Sequence, residues 1–289
     1  MINKYRVKKR LFRILFYFLL YTAIIGIIAP FIIMVFSSLM SEHELYLSTY
    51  PNFHLIPEEH NSAKELFSTY TFLLTESKRG VLSFLNSIKI AIPTTLISVI
   101  FAALAAYPLS RTNIKGKNTI LFTFLFASMV PTMAILIPLY LQWVKLKLYD
   151  TTWGVIIVLV AYILPFSIWI MKGFFDTIPD SLEEAAQIDG CSRYKALQKV
   201  IIPLALPGIG AVAVFAFISS WAEFLIPLVL TQRTAQVFTV YIGQYSNNEM
   251  AKYTWILASG VIACIPVIIL AVLFQRFIVK GLIEGAVKG

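Results

Sequence analysis

An all-α integral membrane protein with six transmembrane helices and both termini in the cytoplasm is the fold class this sequence predicts. Three observations predict it. Mean hydropathy is +0.79, and only 13% of the 289 residues are charged, about half the share of an ordinary soluble domain. Apolar windows long enough to cross roughly 30 Å of hydrocarbon occur at residues 14–38, 84–108, 118–141, 153–172, 207–230 and 256–279. Lys and Arg are shared unevenly between the two sets of connecting segments.

The elements follow in order. The opening MINKYRVKKRLFR has the charge of a signal-peptide n-region. The apolar part behind it is longer than a signal h-region and lacks an A-x-A-like cleavage site, so 1–13 reads as a cytoplasmic tail and 14–38 as a retained first helix. Residues 39–83, with Pro51, Pro57 and the polar run EEHNSAKE, form an extracytoplasmic loop too short to hold its own core. Residues 84–280 are the core transmembrane domain, with a cytoplasmic loop at 173–206, and 281–289 form a cytoplasmic tail. A second outer segment, 231–255, is long for a link between neighbouring helices, and long loops are more often functional.

Sixteen Lys and Arg fall in the N-terminal tail, the 2–3 and 4–5 loops and the C-terminal end, against seven in the opposite loops; Lys89 lies within snorkelling reach of a membrane surface. The positive-inside rule therefore places both termini and the 173–206 loop in the cytoplasm. Inner-leaflet lipid headgroups account for the net charge of +9 without any nucleic acid. Prolines 30, 93, 108, 131, 138, 165, 227 and 266 sit inside or at the edges of the windows. A membrane helix tolerates them where neighbours or water satisfy the freed carbonyl, as in a bundle that rearranges around a pathway.

Catalytic patterns are missing. No G-x-x-x-x-G-K-[ST] phosphate loop and no H-E-x-x-H occur, so nothing points to ATP hydrolysis by this chain or to metalloprotease chemistry. His43, His54 and His60 share the first outer loop without a zinc-site spacing, and no metal is assigned to them. Cys191 and Cys264 belong to different depths, which argues against a mutual disulfide. Glu223, in SSWAEFLIP, is the carboxylate set well inside a window; it reads as a pathway residue, as an interfacial one or as a structural hydrogen-bond acceptor.

Between two apolar windows lies SLEEAAQIDGCSRYKALQKVIIP, residues 181–203. Ser181 and Glu184 have the spacing of a capping box, Pro179 precedes them, and Glu183 and Glu184 lie where a helix dipole favours acids, so a helix is predicted to start at 182. Leu182, Ala185 and Ala186 form a narrow small-residue face, and Gly190 is free to take a positive φ after the last turn. From the residues alone this is an interfacial helix in the headgroups or a docking helix for a cytoplasmic partner.

EAAQIDG followed after nine residues by VIIP resembles the E-A-A-x3-G-x9-I-x-L-P motif of permease subunits of ATP-binding-cassette importers. Glu184, Ala185, Ala186, Gly190 and Pro203 match; Val200 and Ile202 stand where Ile and Leu are usual. FLNSIKIA, AAYPLSR, VPTMAILIPLY, LPFSIWIMKGFFDTIPDSLEEAAQIDG and GLIEGAVKG are similar to carbohydrate-importer permeases of the maltose-permease G-subunit type, over roughly residues 80–289. WAEF resembles their W-N-E-F, with Ala222 in place of Asn.

The resemblance implies a type I ABC importer permease fold in a bacterial or archaeal cytoplasmic membrane. It implies a non-enzymatic subunit that pairs with a second, F-type permease and works with two ATP-binding subunits, which use ATP and Mg, and an extracytoplasmic solute-binding protein. Glu183, Glu184, Ala185, Ala186, Asp189, Gly190 and Pro203 are then the coupling residues. Glu223 and Trp221 fall to the pathway, and Tyr241, Gln244 and Tyr245 to the binding protein. The implied substrates are sugars or oligosaccharides; a non-sugar solute such as glycerol phosphate or a polyamine, and an ion-coupled transporter acting alone, are the alternatives.

Overall fold

The computed structural model describes residues 2–47, 66–246 and 252–286, and among these every regular element is helical. The principal helices are α1 (Ile2–Ser37), α2 (Lys78–Arg111), α3 (Lys117–Ser128), α4 (Thr132–Lys145), α5 (Thr152–Phe175), α6 (Asp180–Ile188), α7 (Leu206–Trp221), α8 (Leu225–Leu230), α9 (Phe238–Gly243) and α10 (Tyr253–Ala286). By length and composition, α1 from Arg10, α2, α5 and α10 as far as Gln275 can each cross a bilayer. Among the described residues the number rises from four to six if each of two bent pairs is one span: α3 with α4, which meet at 84°, and Arg193–Leu204 with α7, which meet at 75°.

The bends have local causes. Pro131 sits at the start of α4 with φ −59° and ψ 120°, and a proline there has no N–H with which to continue the ladder from α3. Ala205 lies at the second bend, closely followed by Pro207 in the first turn of α7, where a missing donor costs nothing. The fifth apolar window is also interrupted, because residues 222–224 leave the helical path between α7 and α8. Pro30, Pro93, Pro108, Pro138, Pro165 and Pro266 lie inside helices that continue through them.

Two compact units are present. The first comprises residues 1–77 and 242–263. In it most apolar side chains of α1 from Leu11 to Val35 are exposed, as a lipid-facing or partner-facing surface would be. Ser41 and Glu44 make a reciprocal capping box, with Ser41 N–H donating to Glu44 Oε2 at 2.9 Å and Glu44 N–H to Ser41 Oγ at 3.1 Å. The Glu42 carboxylate accepts the N–H of Thr254, at 3.1 Å, and its hydroxyl at the start of α10. His43 is exposed; His54, His60, Pro51 and Pro57 lie outside the described residues.

The second unit, residues 78–241 and 264–289, is built on α2 against α5. α2 buries Ser83, Ser87, Ala91, Thr94, Ser98, Ala102 and Ala106 at intervals of three and four, so one face is lined with small side chains. Such a stripe lets two membrane helices approach closely. The buried face of α5 fills the space with Val155, Leu159, Ile163, Ile168, Met171 and Phe175. One core cluster joins Ile90, Val155, Leu159 and Ile163 to Ile226, Leu230 and Val240. A second joins Ala102, Ala106 and Leu109 to Met171, Phe175, Leu197, Ile201 and Val212. The opposite face of α2, with Leu82, Leu85, Leu96, Ile100 and Leu104, is exposed.

Candidate functional site

The polar interruption between the fourth and fifth windows folds as α6, but its start differs from the sequence expectation. The helix begins at Asp180 after Pro179, with no side chain capping it, and Ser181 lies inside the first turn. The backbone explains the shift: Pro179 carries ψ 135° and its carbonyl already accepts Leu182 N–H at 3.3 Å, so the chain is helical before Ser181 can act as a cap.

The buried face of α6 is Glu183 with Ala186; Leu182, Glu184, Ala185, Gln187 and Ile188 are exposed. Of the small-residue face expected from the sequence, only Ala186 turns inward, and the inward neighbour is a carboxylate. Glu183 is 6% exposed. Its Oε1 accepts the Tyr107 hydroxyl at 2.5 Å and the Gln187 amide at 3.4 Å. Its Oε2 stands 3.4 Å from Arg111 Nε, at ion-pair distance without hydrogen-bond alignment. A buried carboxylate is costly unless paired, and Tyr107 and Arg111, one turn apart at the end of α2, supply that pairing.

Arg111 does more than neutralise Glu183. Its side chain is 7% exposed, and its Nη1 pairs with Asp180. Its Nη2 donates to the Ile178 carbonyl at 2.8 Å. The planar guanidinium thus gathers acceptors from Ile178, Asp180 and Glu183 in one geometry, which a lysine cannot do. Ser110 Oγ donates to Asp176 Oδ1 at 2.6 Å, and Lys172 Nζ pairs with Asp176 Oδ2 at 2.6 Å. Neither Tyr107 nor Arg111 is among the coupling residues expected from the sequence. Both lie in the AAYPLSR run, but their partners are 76 and 72 positions away, and no local spacing signals that.

At its other end α6 closes with a Schellman motif: Gly190 N–H donates to the Gln187 carbonyl and Cys191 N–H to the Ala186 carbonyl, each at 3.0 Å. Gly190 has φ +87°, which satisfies the positive-φ expectation at this position. The outward surface then carries Leu182 at 42%, Ile188 at 85% and Tyr194 at 63% exposure. Asp189 is exposed at the helix end. Beyond it the chain makes a π turn, Leu197–Ile201, before Pro203, which is exposed on the short helix Ile202–Leu204. Cys191 and Cys264 are both free thiols.

The remaining candidates occupy different settings. Trp221 is 5% exposed, stacked on Phe217 at 5.8 Å and edge-on to Phe84 at 5.6 Å. Glu223 sits in the break between α7 and α8, where Oε1 accepts the N–H groups of Leu225 at 3.0 Å and Ile226 at 3.2 Å. It therefore satisfies backbone donors that the interruption frees. Tyr241 is 4% exposed and stacked on Phe238; Gln244 is exposed, and Tyr245 packs on Trp255 at 5.3 Å. Residues 247–251 lie outside the described residues. Among the described residues no group of three or more His, Cys, Asp or Glu is placed to hold a metal.

A residue with no local motif to mark it, Asp150, anchors the beginning of the segment 231–255. Asp150, with φ +54°, directs both carboxylate oxygens at the N–H groups of residues 232–235, at 2.9 to 3.2 Å. Asn86 Nδ2 donates to the carbonyls of Thr234 and Gln236, and Ser87 Oγ accepts Phe238 N–H. Burial pushes the Asp150 carboxyl up, but the backbone donors from Gln232, Thr234, Ala235 and Arg233 outweigh it and hold the group below its ordinary value of 3.8. A lowered pKa gives stability that is present above the ordinary value and lost as pH falls through the lowered one. Thermal unfolding in detergent should therefore show the wild type losing stability below about pH 4. Asp150→Asn should start lower at neutral pH and lose less on acidification; parallel curves would exclude the clip.

The profile of the family described as "binding-protein-dependent transport system inner membrane component" matches residues 98–284. The inner membrane ABC transporter permease protein YcjP of Escherichia coli (strain K12) is 31% identical over 286 residues, 98% of this chain and 99% of the relative. The trehalose/maltose transport system permease protein MalG of Thermococcus litoralis is 38% identical over 207 residues, 71% of this chain and 74% of the relative. A solved bacterial ABC transporter involved in the import of the acidic polysaccharide alginate superposes with a TM-score of 0.73 at 27% identity, over 93% of this chain and 97% of that one. A helical membrane chain whose polar loop carries the E-A-A motif, matched across most of its length, belongs to the family of binding-protein-dependent transport system inner membrane components.

Proposed function

We propose that this chain is the transmembrane permease subunit of an ATP-driven, binding-protein-dependent importer of sugars or oligosaccharides. Similarity to a trehalose/maltose permease and to an alginate importer supports the substrate class. The observation that carries the mechanism is the two-sidedness of α6: Glu183 and Ala186 are turned inward, while Leu182, Ala185 and Ile188 present an exposed apolar edge. An apolar edge on the polar loop of a membrane protein is what a partner surface covers.

In this reading α6 is the coupling helix, seated on an ATP-binding subunit at the cytoplasmic face; Glu184, Ala185, Asp189 and Gly190 meet or shape that contact, and Pro203 ends the motif. Two such subunits bind ATP and Mg, and their closure drives this chain and a second, F-type permease between inward-facing and outward-facing states. The excess of Lys and Arg supports cytoplasmic termini in the cytoplasmic membrane. Gln244, which is exposed, Tyr241 and Tyr245 belong to the side met by the solute-binding protein. Glu223 and Trp221 support the walls of the pathway rather than relaying protons, given the backbone bonds and ring packing around them.

Glu184 is exposed on α6 beside the apolar edge, so reversing its charge changes the contact without disturbing this chain's core. Glu184→Lys should lower ATP-dependent uptake of labelled trehalose and maltooligosaccharides by roughly tenfold, with unchanged amounts of the chain in the membrane. Normal uptake by this variant would remove α6 from the docking role.

A further inference from the structure

We propose that Tyr107, Arg111 and Glu183 are positioning residues that lock α6 to the last turn of α2, so that a displacement of α6 is delivered to α2 and through it to α5. The proposal rests on the reading of α6 as the docking helix and adds the route by which its movement enters the membrane bundle.

The two ends of α6 are held differently. Upstream, polar bonds tie the chain to the end of α2: Ser110 to Asp176, Arg111 to the Ile178 carbonyl and to Asp180, and both Tyr107 and Arg111 to Glu183. Downstream, the chain leaves through Gly190 at φ +87°, and a Cβ at that position would meet nothing within 4 Å among the described residues. No side-chain hydrogen bond or ion pair among the described residues joins α6 to Arg193–Leu204. The side-chain polar bonds of α6 thus fall on the α2 side, while against Arg193–Ile201 it has backbone packing without them.

Packing alone would not require a charge here. An apolar side chain would suit the buried position 183 as well or better, since a buried ion pair adds little stability over apolar packing. What the pair adds is register. The Tyr107 hydroxyl on one carboxylate oxygen and Arg111 Nε beside the other favour one placement of Glu183, and a slip of α6 strands a buried charge. α2 then presents its small-residue face to α5 along most of its length, so a tilt imposed at Arg111 is carried into the bundle as a rigid element.

The test uses the importer complex of this chain with its co-expressed partner subunits, after replacement of Cys191 and Cys264 by serine. Spin labels are attached at Leu104→Cys, on the exposed face of α2, and at Ser181→Cys, and their separation is measured without nucleotide and after trapping with ATP and vanadate. The inter-label distance should stay within about 2 Å between the two states. With Glu183→Gln or Arg111→Lys it should broaden and become nucleotide-dependent, and ATP hydrolysis stimulated by the binding protein should fall about tenfold. Tyr107→Phe, which removes a single hydroxyl and keeps the ring against Phe175, should do the same to a smaller degree and decides the matter if the charge variants fail to assemble.

A separation that changes in the unmodified clamp, or clamp variants with an unchanged distance and unchanged stimulation, would overturn the proposal. Co-purification of the ATP-binding subunits with Ile188→Asp tests the docking reading separately. Their loss supports α6 as the docking helix, and their full retention sinks that reading whatever the label distances show.

Discussion

Gly154→Ala is expected to cost this protein most of its folded yield, although alanine is the better helix former. In a helix interior the exchange normally stabilises by about 1 kcal/mol. Here the added Cβ would lie 2.1 Å from the backbone oxygen of Leu148 and 3.0 Å from both Thr151 Oγ1 and Trp143 Nε1. None of those atoms is free to retreat. The Leu148 carbonyl accepts the Thr151 hydroxyl at 2.7 Å, that hydroxyl accepts Gly154 N–H at 3.0 Å, and Trp143 Nε1 donates to the Gly154 carbonyl at 2.9 Å. The corner also starts the helix that carries Val155, Ile156 and Leu159 into the core. Overpacking of this kind costs about 1–3 kcal/mol or more, which outweighs the propensity gain and reverses the sign. Gel filtration after detergent extraction and a thermal melt should show less monodisperse protein and a lower midpoint. A midpoint equal to or above that of the wild type would contradict the geometry.

Gly190→Val is expected to do the opposite kind of damage: normal insertion and folding, with ATP-driven transport largely lost. Since open space surrounds the α-carbon, the penalty is one of backbone alone. A β-branched residue at φ +87° is a marked outlier, and left-handed backbone costs an L-residue roughly 1–2 kcal/mol. That is enough to shift a local equilibrium about 5- to 30-fold and release the bonds from Gly190 and Cys191 that end α6. The docking edge would then change its aim while the α2–α5 core stays intact. Asparagine tolerates left-handed backbone, so Gly190→Asn should keep most uptake and Gly190→Ala should fall between. If asparagine and valine are equally damaging, side-chain bulk at the partner surface, rather than φ, is the cause.

These two glycines mark how far a sequence carries. At Gly190 the requirement was legible, because a polar helix with an acidic first turn and a glycine after its last turn is a local pattern. At Gly154 nothing local separates a tolerated glycine from one pressed against a carbonyl of the preceding turn. The capping-box expectation shows a related limit. Ser181 and Glu184 have the right spacing, as do Ser41 and Glu44, but only the second pair forms the box. Pro179 starts α6 two residues too early for Ser181, and that depends on backbone angles rather than spacing.

The sequence by itself determined the class of molecule: apolar windows of membrane length, an asymmetric distribution of Lys and Arg, a polar helix bearing the E-A-A motif, and hence the family. These follow from composition, periodicity and short-range spacing, which act within a few residues of chain. Only the tertiary structure decided which side of α6 faces inward, that Glu183 rather than Glu184 is the buried carboxylate, that Arg111 and Tyr107 hold it, and that Asp150 pins the segment after α8. The pairings that decide them join groups 72 to 85 positions apart. Such pairings come from how helices pack and where a buried charge finds a partner, and a linear pattern does not encode them.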